Sequence, residues 1–457
     1  HGSSPRGAEQ TGAHFASPQG GRRAMASASR MRSFCMLHPD SEFNDPKFRF
    51  DDVHVELEAT EIAPLEGAVY DKVFPSKSGQ DTIFQEVARE PVLAALESLR
   101  STLFIAFGAS GCGKTFAVTG GAKRFADRGL IPRSISTLFE ALSARPDKDE
   151  LEVSISFYEL YKGTVLDLLS EKRRKVVVQP PAAPGIEAGD WGSSRSEGPT
   201  LVGLLRHTAR SESEAYHLLF QGDSNRHFER YNLNAETSRG HVFFNVQISH
   251  LPTGRRANLN FVDLAAGIAT RNTATLAIES SLEALRAVLN AIRSGEEPAY
   301  DASPLTLLLQ PWLHSDTITG QQRPHIVAIA PLRYTDETRS DLSEWLGFAR
   351  LLQEAVEGPV SPGRKALRRS LSAASASDAL GGTTEEEADA TSVLSGFSPI
   401  AGQEEAHQPL QHHLLQEFPV LHHQQPEPTH QHHSQHIQQQ QQQLSQQHLQ
   451  LSQQEHM

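Results

Sequence analysis

One short segment constrains this chain more than any other: an apolar stretch, Leu103 to Phe107, leads directly into a glycine-rich loop. The loop fits the pattern G-x-x-x-x-G-K-[ST], in which glycines let backbone N–H groups close around a phosphate. In that pattern Lys114 bridges the β- and γ-phosphates of a nucleotide, and the Thr115 hydroxyl coordinates Mg²⁺. A glycine-rich turn with an incidental lysine is the alternative. The candidate nucleotide-binding residues of the loop are Gly108, Ala109, Ser110, Gly111, Cys112, Gly113, Lys114 and Thr115.

Between Arg30 and about Glu357, apolar strand-like stretches alternate with helical patterns. This alternation is typical of an α/β domain whose sheet is covered by helices on both faces. The clearest helical pattern stops at Gly295, and its apolar positions 282, 285, 288, 289 and 292 share one face. Strands are predicted at residues 103–107, 151–157, 241–248, 259–262 and 325–330.

Composition divides the chain into segments. Residues 1–29 are small, polar and glycine-rich, and we expect them to be disordered. The domain at 30–357 is interrupted at 172–199 by a charged and then Pro/Gly/Ser-rich stretch, which predicts a surface loop. A Ser/Ala/Glu-rich linker is expected at 358–400. The tail at 401–457 has 19 Gln and 11 His but no Lys or Arg, so disorder is expected, with metal binding by its paired histidines as the alternative.

Composition also excludes several classes of protein. Two cysteines, Cys35 and Cys112, exclude a disulfide scaffold and suit a reducing compartment. No apolar run is long enough to span a membrane and no apolar signal segment follows His1, so we expect a cytoplasmic protein without a membrane partner. The formal charge of −13 argues against a nucleic-acid partner. No heptad repeat follows the domain, so no long coiled coil is predicted.

Several segments, taken together, resemble the kinesin motor domain. The phosphate loop stretch FIAFGASGCGKTFAVTG is similar to the kinesin signature, in which aromatic residues flank G-Q-T-G-x-G-K-T. The stretch SFYELYKGTVLDLL resembles the kinesin S-x-x-E-I-Y-N-E-x-x-x-D-L-L segment, and NAETSRGH resembles the switch I pattern N-x-x-S-S-R-S-H. Asp263 to Gly267 stands where kinesins have D-L-A-G-S-E, the switch II pattern. The similar segments run in order from about residue 30 to residue 355.

The resemblance implies a P-loop NTPase of the α/β class, with a central mostly parallel or mixed β-sheet flanked by helices on both faces. It also implies ATP and Mg²⁺ as ligands and a microtubule, built of tubulin, as partner. Water would attack the γ-phosphate in line, helped mainly by positioning and electrostatics. The expected location is therefore the microtubule cytoskeleton of the cytoplasm.

Matching the switches residue by residue assigns roles to individual side chains. Thr237 and Ser238 stand where hydroxyls contact the γ-phosphate region and Mg²⁺, with Ser238 as a metal ligand. Asp263 stands where an aspartate holds Mg²⁺ through water. The candidate catalytic residues are Thr237, Ser238, Arg239, Asp263 and Gly267.

The adenine side of the pattern is altered. Pro39 matches the proline of the kinesin R-x-R-P pattern and is a candidate nucleotide-binding residue. Met36 and His38 stand at the two arginine positions. Contacts with the base and ribose must therefore differ from those of the family.

Switch II departs further from the pattern. Ala266 replaces a glycine whose N–H approaches the γ-phosphate, and a Cβ obstructs that approach. Ile268 replaces the glutamate that pairs with the switch I arginine, so Arg239 is expected either to turn to solvent or to find another acid. These changes predict slow or absent hydrolysis, whereas nucleotide binding does not require the ion pair.

The surface that meets the microtubule in kinesins is also altered. At the Arg and Lys positions of V-P-Y-R-x-S-K-L-T this chain has Asp301 and Pro304, preceded by Glu296 and Glu297. Like charges lower the rate and affinity of binding to an acidic microtubule, so we expect weak, salt-dependent binding. The loop after switch II is expected to be short, with the next helix near Glu279. The remaining basic residues on that side are Arg271, Arg286 and Arg293.

Two functions from different classes compete on these observations. The first is a kinesin-like ATPase that couples hydrolysis to movement on microtubules. The second is a degenerate motor domain that binds nucleotide and partners with little or no hydrolysis. A generic P-loop enzyme such as a nucleotide kinase explains none of the ordered kinesin-like segments.

Overall fold

The computed structural model describes residues 30–58, 66–121, 124–181, 198–232, 235–267, 273–313 and 324–358, with backbone alone at 228–232 and 235–238. The expectations for 1–29, for 401–457 and for nearly all of the linker lie outside the described residues. None of the described helices is long and apolar enough to cross a membrane.

The strands follow the alternation of apolar stretches along the chain. Each predicted strand is present. Four of them continue beyond the predicted segment, whereas the strand Thr102–Ala106 has the predicted length and begins and ends one residue earlier than predicted. The strands are β1 Met31–Leu37, β2 Phe48–Phe50, β3 His54–Leu57, β4 Glu66–Val69, β5 Lys72–Phe74, β6 Thr102–Ala106, β7 Leu151–Tyr161, β8 Thr164–Asp167, β9 Lys175–Gln179, β10 Thr200–Val202, β11 His207–Thr208, β12 Phe228–Asn232, β13 Ala235–Ser238, β14 His241–His250, β15 Arg256–Asp263 and β16 His325–Leu332.

The main sheet is mixed. Its strand order is β10-β9-β8-β7-β14-β15-β6-β16-β1-β5, with β11 beside β7. The strands from β15 to β5 run parallel, whereas those from β10 to β14 pair antiparallel with their neighbours. Smaller sheets are formed by β2-β3-β4 and by the hairpin β12-β13. The carboxyl ends of the parallel strands therefore lie at one edge, where open α/β sheets bind ligands.

Helices cover both faces of this sheet. Side chains of β6 alternate between two apolar cores: Leu103 and Ile105 face the core that contains α6, α7 and α8, and Phe104 and Ala106 face the other helices. This confirms the predicted fold class. The helices are α1 Gln80–Val87, α2 Arg89–Glu97, α3 Lys114–Val118, α4 Leu130–Ser143, α5 Glu212–Ser224, α6 Thr273–Ser294, α7 Pro304–Leu313 and α8 Arg339–Glu357.

Two details differ from the expectations. Helix α6 begins at Thr273 instead of near Glu279, because Ala274, Thr275 and Ile278 extend the buried face by a further turn. It ends where predicted, since Gly295 adopts φ +73° after the last residue. The prediction of a surface loop at 172–199 is wrong for its first part, because Lys175–Gln179 contains a β-branched run and forms a strand that pairs with β8 and β10.

The packing of α5 against β7 gives a stability prediction. A Cβ at Gly222 would lie 2.0 Å from Cδ1 of the buried Phe157. We expect Gly222→Ala to lower the free energy of unfolding by about 1–3 kcal/mol, because the core must shift to make room. Gly347→Ala in α8 is the matched control, since a Cβ there meets nothing within 4 Å. Chemical denaturation of both variants measures the difference, and equal stabilities would contradict the packing at Gly222.

Candidate functional site

The glycine-rich loop follows β6 at the carboxyl edge of the parallel strands. Gly108, Gly111 and Gly113 have φ values of +145°, +74° and +104°, a backbone region that other residues rarely adopt. A Cβ on Gly108 would also lie 2.8 Å from both the Cys112 sulfur and the Pro331 carbonyl oxygen. The loop therefore needs these glycines, and their backbone forms the concave turn that the sequence pattern predicts.

Lys114 is the first residue of α3 and is buried, with 8% of its surface exposed. Its ammonium nitrogen donates hydrogen bonds to the carbonyl oxygens of Gly108, at 2.9 Å, and Ala109, at 2.6 Å. The charge is thus held inside the turn of the loop. A phosphate placed in that turn would meet the ammonium group directly.

Thr115, Asp263 and Arg226 meet beside the loop. The Thr115 hydroxyl donates to Oδ2 of Asp263 at 2.7 Å, and a guanidinium nitrogen of Arg226 lies 3.0 Å from the same oxygen. Asp263 reaches this position because it ends β15, where it pairs with Ala106 at the end of β6. Arg226 has 1% of its side chain exposed and also contacts Asp223 at 3.2 Å. Arg226 and Asp263 are thus buried together, and Thr115 beside them is half-buried.

The donors in this cluster suit Mg²⁺. A hydroxyl and a carboxylate are hard oxygen ligands, and Mg²⁺ is typically held by one or two protein groups together with phosphates and water. The described residues contain no group of three or more acidic, His or Cys side chains that would form an all-protein metal site. Thr115 and Asp263 are thus the residues that would hold the ion.

The backbone of switch I forms the hairpin β12-β13, which contains Thr237 and Ser238; the side chains of both residues lie outside the described part. Glu159, fully buried on β7, holds the base of the hairpin. Its carboxylate accepts from the His227 backbone at 3.3 Å and lies 2.6 Å from the His227 ring. Burial raises the pKa of Glu159, while the contact with His227 opposes that rise.

The two strands of the hairpin are also joined at its base. The backbone N–H of Arg239 donates to the carbonyl oxygen of His227 at 3.0 Å. Arg239 has 2% of its surface exposed, so of the two alternatives expected for it, the turn to solvent is excluded. Ile268, which would stand where its family partner stands, lies outside the described residues. The hairpin is therefore fixed at its root by buried groups on both strands.

Switch II is connected to both β14 and α6. The backbone N–H of Ala265 donates to Nδ1 of His241 at 3.2 Å, so the ring carries its proton on Nε2 and donates to Ser281 on α6 at 2.8 Å. Burial lowers the pKa of His241 to about 4, which keeps the ring neutral. Ala266 is buried, and a Cβ on Gly267 would lie 3.2 Å from Oε1 of Glu279. The segment that follows β15 is thus linked to α6 at Glu279 and Ser281.

Pro39 follows β1 and is exposed. The residue before it, His38, lies against the loop: its Cδ2 atom is 3.7 Å from the position of a Cβ on Gly113. The structure thus brings the end of β1 next to the glycine-rich loop. Among the described residues, the structure shows no contact between Pro39 and the loop.

The sequence patterns missed Arg226, His227 and Ser281. Their signal is weak: Arg226 and His227 follow α5 directly before switch I, but an arginine after a helix has no distinctive spacing. Asp263 lies 37 residues further along the chain, so only the folded sheet brings Arg226 to it. Ser281 resembles any other polar position of an amphipathic helix.

The fold and the site together define a nucleotide-binding domain of the P-loop class. The family model for the kinesin motor domain matches residues 47–349. The kinesin heavy chain of Syncephalastrum racemosum is 27% identical over 339 residues, 69% of this chain and 34% of that protein. Kinesin-related protein 3 of Dictyostelium discoideum is 30% identical over 295 residues, 60% of this chain and 23% of that protein. The chain therefore belongs to the kinesin motor domain family.

Solved structures share the fold. A fast kinesin has a TM-score of 0.58 at 21% identity, over 72% of this chain and 93% of that one. A KIF14 dimer, solved with AMP-PNP in complex with a microtubule, has a TM-score of 0.58 at 19% identity, over 75% of this chain and 99% of that one. The chain spans from about a quarter to about half the length of the curated relatives that it matches.

Proposed function

We propose that this chain is a motor ATPase domain that binds Mg-ATP and acts on microtubules in the cytoplasm. The observation that carries the proposal is the meeting of Lys114, Thr115 and Asp263 at the carboxyl edge of two adjacent parallel strands. Cation, hydroxyl and carboxylate converge beside one glycine-rich turn, as phosphoryl transfer requires. Membership of the kinesin motor family supports the same activity.

Each group has a separate task in the proposed reaction. Lys114 neutralises charge on the terminal phosphates, while the loop backbone orients them. Bound Mg²⁺ would supply charge stabilisation, with Thr115 and Asp263 as its protein contacts. Ser238 and Thr237 would orient the attacking water and the metal from the switch I hairpin. Arg226 balances the negative charge of the Asp263 carboxylate and holds that carboxylate in place.

Phosphate release with and without microtubules tests this function. We expect slow basal turnover of Mg-ATP and an increase when microtubules are added. A Lys114→Ala protein gives the background rate of phosphate release. Nucleotide binding without turnover under either condition would favour the degenerate, non-motile alternative instead.

The switch II departures give a further prediction. Ala266 is buried at the site, and the double change Ala266→Gly with Ile268→Glu would open the backbone approach and restore the glutamate of the family pattern. We expect ATP turnover to rise about tenfold or more, since one preorganised group in such a site is worth that much. Nucleotide affinity should change little. Ala257→Gly, a buried position at the opposite end of β15, is the control and should leave turnover unchanged. A flat response of the double variant would contradict the prediction.

The charge of the surface near α7 predicts how strongly the chain binds microtubules. Glu296, Glu297 and Asp301 are exposed, so the surface is acidic. Two basic residues of the neighbouring helix already have partners: Arg286 contacts Glu344 and Arg293 contacts Glu354 on α8. Arg271 lies outside the described residues. We therefore propose that microtubule binding is weak and depends on salt.

Reversing the charge of this surface should strengthen binding. Asp301→Arg with Pro304→Lys adds three positive charges, and we expect tighter co-sedimentation with microtubules at low salt. Because charges are screened beyond about 8 Å at physiological ionic strength, the gain should shrink as salt increases. Asp149→Arg with Ala144→Lys adds the same charge in the α4–β7 connection and should have a much smaller effect. Tight wild-type binding that persists in high salt would refute this assignment of the surface.

A further inference from the structure

The order of the strands fixes which way a nucleotide would lie. Asp263 ends β15 on one side of the loop, and β16 and β1 lie on the other side of β6. Because Thr115 and Asp263 contact each other on the β15 side, the terminal phosphates and the metal belong there. The nucleoside end must therefore extend toward the ends of β16 and β1.

Two basic residues occupy those strand ends. Leu37 of β1 pairs with Leu332 of β16, so the next residues, His38 and Arg333, are neighbours at the edge of the sheet. The His38 backbone N–H donates to the Leu332 carbonyl at 2.8 Å, which fixes this register. Neither strand end carries the arginine pair of the R-x-R-P pattern. The positive charge at the edge comes instead from Arg333, which follows β16 almost 300 residues further along the chain.

His38 is oriented toward the loop. Its Nδ1 accepts the backbone N–H of Asp40 at 3.1 Å, so a neutral ring carries its proton on Nε2, next to the carbon that approaches Gly113. The Asp40 carboxylate is largely exposed, with 67% of its side chain accessible, and lies 3.8 Å from Nδ1. The ring edge with the donor is therefore the edge that faces the glycine-rich loop.

Arg333 lies beside the same loop. It lines a narrow gap, too small for a water molecule, between the loop residues Ala109 and Cys112 and the α8 residues Leu342 and Trp345. Its Nε atom is buried and has no hydrogen-bond partner among the described residues. No carboxylate in the described part of the chain forms an ion pair with it. A buried donor on a cation at a ligand-binding edge is a group that an anion would satisfy.

We propose that Arg333 and His38 bind the α-phosphate and ribose of the nucleotide and replace the two arginines of the family pattern. The inference rests on the proposed nucleotide binding and names the residues that hold its nucleoside end. Arg333 supplies charge to the α-phosphate, and the His38 Nε2–H donates to a phosphate or ribose oxygen. The terminal phosphates stay with Lys114 and Thr115.

The test compares the affinity for ADP with the affinity for inorganic pyrophosphate, both measured by displacement of a fluorescent nucleotide. We expect Arg333→Ala to weaken ADP binding by about tenfold and pyrophosphate binding by less than about threefold, since a charged hydrogen bond is lost only with ADP. Arg256→Ala is the matched control: it removes one exposed arginine at the opposite end of β15 and should leave both affinities unchanged. Thermal unfolding checks that each variant is folded.

A rescue experiment separates binding from a structural role. His38→Arg in the Arg333→Ala protein should restore most of the ADP affinity, because it returns a guanidinium to the strand end beside Gly113. Unchanged ADP affinity in Arg333→Ala, or equal losses for ADP and pyrophosphate, would overturn the assignment. If Lys114→Ala abolishes binding while Arg333→Ala does not affect it, the proposed function stands and this inference alone fails. If wild type binds no nucleotide, both fail.

Discussion

Replacing Lys114 with alanine is expected to weaken binding of Mg-ATP and Mg-ADP by about 100-fold or more, equivalent to about 3 kcal/mol. The residue is buried within the turn of the loop, and its ammonium nitrogen lies within hydrogen-bond distance of two carbonyl oxygens of that loop. Its loss removes the charge that neutralises the terminal phosphates, and no other lysine among the described residues lies in the loop. Titration with a fluorescent ATP analogue measures the effect.

The control for this change is Lys148→Ala. Lys148 is exposed and lies just before β7, at the end of the sheet away from the loop. Lys148→Ala removes the same charge without altering the site, so nucleotide affinity should be unchanged. Equal affinities of wild type and the Lys114 variant would exclude the loop as the nucleotide site.

Replacing Arg226 with methionine should destabilise the fold strongly. The guanidinium has 1% and the Asp263 carboxylate 3% of its side chain exposed, so removing the cation leaves a buried charge without its partner. We expect the free energy of unfolding to fall by about 3–5 kcal/mol in nucleotide-free protein. The Thr115 hydroxyl remains as a donor to Asp263, but it carries no charge. Denaturant unfolding measures the loss.

A double variant tests whether the loss of stability comes from the Asp263 carboxylate that is left without its cation. Arg226→Met with Asp263→Asn should lose less stability than Arg226→Met alone, because the amide removes the uncompensated charge. Arg145→Met breaks a partly exposed ion pair with Asp147 and should have a much smaller effect. If Arg226→Met unfolds at the same denaturant concentration as wild type, the ion pair between Arg226 and Asp263 does not stabilise the fold.

Local patterns in the sequence predicted the framework of the site well. The strand before the loop, the glycines and the helix start at Lys114 follow from residues adjacent in the chain, and the structure has each of them. The apolar stripe that ends at Gly295 likewise predicted α6. Such features depend on backbone preference and on side-chain periodicity, which a short window of sequence contains.

Contacts between distant segments could not be predicted in the same way. The pairing of Glu159 with His227 spans 68 positions, and that of Arg226 with Asp263 spans 37. Nothing in the local sequence distinguishes these groups from solvated charges. The strand β9 was missed for another reason: it is a short β-branched run beside charged residues, and it is a strand only because β8 and β10 pair with it.

The two carbonyl contacts of Lys114 also set where its charge lies. The ammonium nitrogen donates to the Gly108 and Ala109 carbonyls, which belong to the same loop, so the long side chain is held in one place. Its rotamer freedom is therefore lost when the chain folds. An anion that binds in the loop would spend little of its binding free energy on ordering this cation, because the cost has already been met in folding.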